Sequence, residues 1–224
     1  MGNVSRKTNV DGYIVIAPDI NDKVAIDFCK HHNAVFVDIT ADGLPSIFVD
    51  NYKIGYRSVK RLVDAGHKNI VLLKGDKRWR NAVIRTEGTQ EAFDDFGIKM
   101  PDSWVKECRF DNGFDDAFYA IKEIFSNRLE SIPTGIIAEN DDMAAGAYKA
   151  LEKLSLSIPE DVSVIGCDNA FFSRYLSPSL TTIEQYGYSI GKRASEFILT
   201  GDKSKLGEHR FDIIERESIS NRFL

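Results

Sequence analysis

The sequence is poor in cysteine, in net positive charge and in long apolar runs, and each shortage removes a class of function. There are three cysteines in 224 residues, Cys29, Cys108 and Cys167, and no CxxC spacing. An odd, sparse set neither builds a disulfide framework nor holds a zinc ion, and each lies beside apolar residues, so all three are expected to be buried free thiols in a reducing compartment. The formal net charge is −5, whereas a surface made only to hold nucleic acid is usually basic. No apolar stretch approaches the ~18 residues of a membrane helix. The opening "MGNVSRKTNVDG" lacks the apolar core of a secretion signal, so a soluble, cytoplasmic protein is expected. The usual marks of catalysis are also missing: there is no GxSxG, no HExxH and no Walker A pattern. "LLKGDKRW" has one glycine and its lysine on the wrong side for a phosphate loop. "DNGFDD" (111–116) lacks the alternating ligands and terminal Glu of a calcium loop.

What is present is an ordinary globular composition, 43% hydrophobic and 28% charged, in which strand and helix patterns alternate. Short apolar runs rich in β-branched residues read as parallel strands covered on both faces: "GYIVIAP" (12–18, closed by Pro18), "AVFVD" (34–38), "SIFVD" (46–50), "NIVLLKG" (69–75), the weaker "WVKEC" (104–108), "GIIA" (135–138) and "VSVIG" (162–166). Between them come helical spacings. Val24, Ala25, Phe28 and Cys29 form an inner stripe behind a start signal at Asn21 or Asp22. Helices are also expected over 52–65 with Gly66 closing, over 85–96 with Gly97 closing, and over 114–125, 143–154 and 190–199. "LTTIE" (180–184) is extended, "FDIIERES" (211–218) reads as an edge strand, and "TGDKSKLGEH" (200–209) as a flexible connector. The rhythm implies an α/β fold of parallel sheets with right-handed crossovers.

Ligands of such sheets sit beyond the carboxyl ends of the strands, so the polar residues there are the candidates: Asp38, Asp50-Asn51, the loop 75–85, Asp111-Asn112, Asn140-Asp141 and Asp168-Asn169. Taken singly, most such residues are helix N-caps, and Asp50 or Asn51 and Asn140 or Asp141 suit that plain role. Taken together, they make a rim of Asp, Asn, Gln and Arg suited to a hydroxyl-rich ligand, a purine or a carboxylate. His31-His32 are expected to cap a helix end rather than bind metal, and His67 to be a structural hydrogen-bonding residue. Lys77, Arg78 and Arg80 read as a solvated basic loop, with an acidic or phosphorylated ligand as the alternative.

Over nearly its whole length the chain resembles the effector-binding domain of lac-repressor-type (LacI/GalR family) bacterial transcription regulators. The residues that carry the resemblance are "VDGYIVI", "VDNYKIGYRSVKRLVDAGHKNIVLLKG", "RTEGTQEAFDDFGI", "PTGIIAENDDMAAGAYKALEKLSLSIPEDVSVIGCDN", "LSPSLTTIEQYGYSIGKRASEFIL" and "ERESI". The segment "SIPEDVSVIGCDN…LTTIEQ" is especially specific, and transport members rarely carry it. The resemblance implies a two-lobed periplasmic-binding-protein-like fold with three crossovers and a small effector in the cleft. The amino-terminal lobe is expected over 1–49 and 187–203, and the carboxyl-terminal lobe over 50–186 and 204–224. It also implies that the first lobe is incomplete, with an apolar edge at "GYIVIAP". The family's helix-turn-helix and hinge helix are missing, so operator DNA would be reached only through that absent head.

Carried over residue by residue, Arg85 in "RTEG" resembles the arginine that grips the ligand, Asp168 after "VIGC" the ligand-binding carboxylate, and Gln185 the polar residue at a crossover. Asn140 would face the pocket and Asp38 would lie at the first lobe's edge. Asn112 stands where many members place an aromatic ring; Trp79 and Tyr186 are the candidates to supply one. Arg85, read as the first residue of a helix, is expected to be dispensable for folding. The resemblance implies an effector sensor, a sugar, sugar derivative or purine as ligand, no cofactor, no catalysis and a homodimer. The rivals are a solute-binding protein of a sugar transport system and a sugar hydrolase; the second needs a carboxylate pair whose spacing nothing here suggests.

Overall fold

The computed structural model describes residues 10–16, 23–40, 43–126 and 131–222. The expected roles of Pro18, Asn21 and Asp22 lie outside the described residues. The chain forms two compact units, one of residues 1–49 and 186–210 and the other of 50–185 and 211–224, and passes between them three times.

The first unit holds β1 (Tyr13–Ile16), α1 (Lys23–His31), β2 (Ala34–Val37), β3 (Ser46–Val49), α6 (Gly187–Thr200) and β9 (Gly207–His209). Its sheet runs β1-β2-β3-β9, all parallel. Successive strand residues point to opposite faces. Ala34 and Phe36 therefore join Tyr13, Val15, Phe28 and Cys29 in a core on one side. β1 is an edge strand, and Ile14 and Ile16 on its other face are 41% and 71% exposed. Val24, expected on the inner stripe of α1, is also exposed; Ile26, Phe28 and Cys29 make the packed stripe instead. His31 and His32 donate from Nδ1 to the carbonyls of Asp27 and Phe28, at 2.8 and 2.7 Å, which is the helix-end role read from the sequence.

The connector expected over 200–209 is instead ordered into the sheet. Residues 207–209 pair with β3, and Arg193 of α6 donates from Nε to the carbonyl of Lys205 and from Nη2 to that of Leu206, at 2.8 and 3.0 Å. The second segment of the first unit therefore runs to Arg210, seven residues past the sequence boundary at 203. Three residues of weak pattern gave no strand signal of their own; the neighbouring strand supplies the pairing.

The second unit holds α2 (Asn51–Asp64), β4 (Ile70–Gly75), α3 (Arg80–Asp95), β5 (Val105–Cys108), α4 (Gly113–Ser126), β6 (Gly135–Ala138), α5 (Asp141–Lys153), β7 (Ser163–Cys167), β8 (Thr181–Glu184) and β10 (Asp212–Ile214). The strand order is β10-β8-β7-β6-β4-β5, parallel except for β10, which lies antiparallel to β8 at the edge. Alternation divides the core in two. Ile70, Leu72, Ile137 and Ile165 pack with Val59, Leu62, Ala92 and Phe93 of α2 and α3. Val71, Leu73, Ile136 and Val164 pack with Ile121, Met143 and Leu151 of α4 and α5. Burial on both faces is why these strands read as continuous apolar runs.

Helix α2 meets α3 through glycine. A Cβ added to Gly88 would stand 2.0 Å from the carbonyl oxygen of Tyr52, and one on Gly55 the same distance from that of Arg85. Helix α3 also begins five residues before the expected start at Arg85. A turn closed by Trp79 N–H on Asp76 O (3.0 Å) leads directly into the first helical bond, Val83 N–H to Trp79 O (3.1 Å). Much of the supposed long basic loop is therefore helix.

Candidate ligand-binding site

The carboxyl ends of β4, β6, β7 and β8 bring together the polar residues of the second unit. Gly75 and Gly166 make room there: a Cβ at Gly75 would lie 2.5 Å from Glu139 Oε2, and one at Gly166 2.3 Å from Asp141 Oδ1. Two carboxylates thus sit buried beneath the strand ends, Glu139 2% and Asp141 1% exposed.

Glu139 accepts from Gly75 N–H at 2.7 Å and from Thr86 Oγ1 at 3.1 Å. Burial pushes its carboxyl up, and the positive charge of Arg85 draws it back. Asp141 accepts from Thr182 Oγ1 at 2.6 Å and from Ala170 N–H at 2.7 Å. Burial pushes it up to about 7, the two hydrogen bonds oppose that, and the charge of Asp168 adds to it. Cys167, the last residue of β7, is buried, and burial holds its thiol well above the usual range.

Arg85 is not at a helix start. It lies in α3, 7% exposed, and its fork donates from Nη2 and Nε to Asn51 Oδ1 (2.7 and 3.2 Å) and from Nη1 to the carbonyl of Glu139 (2.5 Å). It therefore braces α2 and the end of β6 from inside α3, which corrects its placement as the first residue of the helix.

Asp168 is exposed and has φ 110°. Its carboxylate accepts from Gln185 Nε2 at 2.7 Å, and the same nitrogen lies 3.4 Å from Cys167 Sγ. Asp168 and Gln185 are thus brought together as a hydrogen-bonded polar pair. Asn140 follows β6, the strand next to β7 in the sheet, but its Oδ1 caps α5 by accepting from Met143 N–H at 2.9 Å, the plain role. Asp50 likewise caps α2 through Lys53 N–H.

Asn112 follows β5, the edge strand beyond β4, and donates to Asp116 Oδ1 at 2.9 Å. Asp116 is held well below the usual carboxylate range by Arg109. The nearby rings are Trp79 and Phe110, edge to face at 6.2 Å, with Trp79 38% exposed. Tyr186, the other ring candidate, belongs to the first unit, stacked on His209. Asp38 also belongs to the first unit, half-buried at the end of β2, with φ 64° and its N–H donating to Ile47 O at 2.9 Å. Of the basic loop, Arg78 pairs with Asp76. His67 bridges Thr134 Oγ1 and Ser220 O, each at 3.1 Å, as a structural residue.

Sequence reasoning missed Glu139, Thr182 and Arg216, and it read Asn51 and Asp141 as rim candidates or helix caps rather than as partners of Arg85 and Thr182. The available signal was the glycine one or two residues before each strand exit, in "LLKGD" and "VIGCD", which leaves space for a carboxylate from the neighbouring strand end.

Comparison with known proteins identifies the family. The periplasmic binding protein-like domain family matches residues 59–219. The HTH-type transcriptional repressor PurR of Pasteurella multocida is 30% identical over 226 residues, covering 96% of this chain and 66% of that protein. The ribose operon repressor of Haemophilus influenzae is 31% identical, covering 94% and 64%. The chain thus spans about two thirds of the length of these relatives. Among solved structures, a LacI-family transcriptional regulator from Burkholderia phymatum superposes with a TM-score of 0.82 at 25% identity, covering 94% of this chain and 78% of that one. The chain belongs to the periplasmic binding protein-like domain family, as an effector-binding domain of the LacI/GalR type.

Proposed function

We propose that this chain is the effector-sensing part of a bacterial transcription regulator and takes a small hydroxyl-rich or heteroaromatic metabolite, a sugar, sugar derivative or purine. The observation that carries the reading is the Asp168–Gln185 pair presented at the ends of parallel strands, in a chain whose relatives are repressors rather than transport proteins. A carboxylate accepts from ligand hydroxyls or ring N–H groups, and an amide both donates and accepts. Arg85, Asn140 and Asn112 complete the proposed set in the second unit, with Trp79 as the stacking ring. Asp38 is retained as the first unit's candidate.

No bond is made or broken in this reading. The ligand favours one arrangement of the regulator, and a differential affinity of roughly 1–3 kcal/mol is enough to change how attached DNA-binding heads engage an operator. The setting is cytoplasmic, and among the described residues no helix is long and apolar enough to cross a membrane. A homodimer is part of the proposal. Phe114, Tyr175 and Leu176, with Tyr148 and Ala145 of α5, line a groove of about 720 Å³ on the second unit. Phe114 and Tyr175 are 43% and 66% exposed, and aromatic area of this kind marks contact surfaces.

The test is a thermal-shift panel of pentoses, hexoses, sugar phosphates, uronic acids and purines. A ligand at ~100 times its Kd adds about 2.7 kcal/mol to the folded state. One class should raise the melting point, and Asp168→Asn should weaken its binding; unchanged affinity in that variant removes the carboxylate from the site.

A further inference from the structure

The loop that carries Asp168 is held in an unusual backbone conformation by a group far away in the chain. Asp168 and Asn169 both have positive φ, 110° and 49°. Asparagine visits the left-handed region readily, but aspartate at 110° lies outside it, and such residues persist only where their surroundings over-determine them. Here the backbone is fixed by Asp168 N–H donating to Ile183 O at 2.8 Å, Asn169 N–H to Thr182 Oγ1 at 3.3 Å and Ala170 N–H to Asp141 Oδ2 at 2.7 Å.

The side chain of Asn169 is clamped from both sides. Its Nδ2 donates to Glu184 Oε2 at 2.7 Å, and its Oδ1 accepts from Arg216 Nη2 at 2.5 Å. Arg216 is itself fixed, donating from Nη1 to the carbonyl of Leu180 at 2.6 Å and to Ser173 Oγ at 3.1 Å, while its own N–H donates to Thr181 Oγ1 at 2.9 Å. It stands two residues past β10, on the segment that enters the second unit after the third passage of the chain.

We infer that Arg216, acting through Asn169, is a positioning residue that holds the Asp168 carboxylate in its ligand-facing geometry. This rests on reading Asp168 as a ligand contact. The clamp joins the turn after β7 to the last segment of the chain, so the same side chain that closes the edge of the sheet also sets the aim of Asp168. A charge-assisted hydrogen bond to Asn169 is the strong type, and its loss removes the side-chain tie that supports the three backbone bonds of a loop with no intrinsic preference for this conformation.

The experiment is a double-mutant cycle on the whole chain with Arg216→Met and Asn169→Ala, read in two ways. The first is amide hydrogen exchange at residues 168–170 without ligand. Each single variant should raise exchange there about tenfold or more while β7 keeps its protection, and the double variant should raise it by clearly less than the two single effects combined, because both changes cut the shared Arg216–Asn169 link while each also loses contacts of its own. The second is the Kd for D-ribose and for adenine by calorimetry. The probe that binds should weaken about tenfold or more in either single variant, and Arg216→Lys should recover part of the loss. Additive exchange effects, or unchanged exchange in Arg216→Met, overturn the clamp whether or not either probe binds. If Asp168→Ala binds as tightly as the parent chain, the ligand reading fails instead. If Asp168→Ala loses binding but Arg216→Met does not, the site stands and the positioning role falls.

Discussion

Replacing Arg85 by Met should cost folding stability as well as any ligand affinity, and the size of the cost follows from its surroundings. The guanidinium serves two acceptors that are nearly inaccessible to water, Asn51 Oδ1 and the Glu139 carbonyl, on residues 5% and 2% exposed. Methionine fills the aliphatic part of the space but donates nothing. Leaving two buried acceptors unmet costs about 1–3 kcal/mol each. Glu139 also loses the cation that offsets its burial, so its carboxyl is driven further toward the protonated form. A total near 3 kcal/mol lowers the melting point by roughly 6–12 °C for a domain of this size. Arg85→Lys keeps the charge but not the fork and should fall between the two. Thermal melts by circular dichroism, with the far-ultraviolet spectrum confirming the fold below the transition, provide the reading. A melting point for Arg85→Met within ~2 °C of the parent chain would refute the brace and return Arg85 to a purely ligand-facing role.

Three further perturbations test other parts of the structure. Gly88→Ala should destabilise by about 2–3 kcal/mol or more, because its Cβ meets the Tyr52 carbonyl at 2.0 Å and backbone cannot move aside as a side chain can; a denaturant midpoint equal to the parent's would contradict the close crossing of α2 and α3. Asp141, ordinarily near 3.8 and pushed up to about 7 by burial, stays protonated in the folded chain over a range where the unfolded chain has already released its proton. Stability therefore falls as pH rises from about 4 to about 7, and Asp141→Asn should shrink the melting-point difference between about pH 5 and about pH 8; an unchanged difference would show that Asp141 does not titrate there. Tyr175→Asp should shift sedimentation toward monomer if the aromatic groove joins two copies, and an unaltered profile would place the contact elsewhere.

The strands of the second unit were legible because both of their faces are covered, so Ile70–Leu73 and Ile136–Ala138 appear as unbroken apolar runs. Helix closures at Gly66 and Gly97 were legible because positive φ, here 89° and 64°, selects glycine. β9 was not, because three residues carry too little pattern and Arg193 and β3 supply their order. The start of α3 was hidden because the turn over Asp76–Trp79 is made by backbone and side-chain bonds that no periodicity encodes. Arg85 and Asp168 could be picked out by residue type and place in the chain, but one proved to be buried and the other exposed, a difference no spacing reveals.

The sequence by itself determined the alternation of strand and helix, the parallel character of the sheets and the end of each strand where polar residues gather, since those follow from local burial periodicity and short-range turn chemistry. Only the tertiary structure decided which of those polar residues meet. Asn51 reaches Arg85 across 34 positions, Asp141 reaches Thr182 across 41, and Asn169 reaches Arg216 across 47. Contacts of that range depend on strand order and helix crossing, which arise from packing the whole core and leave no periodic trace in the chain.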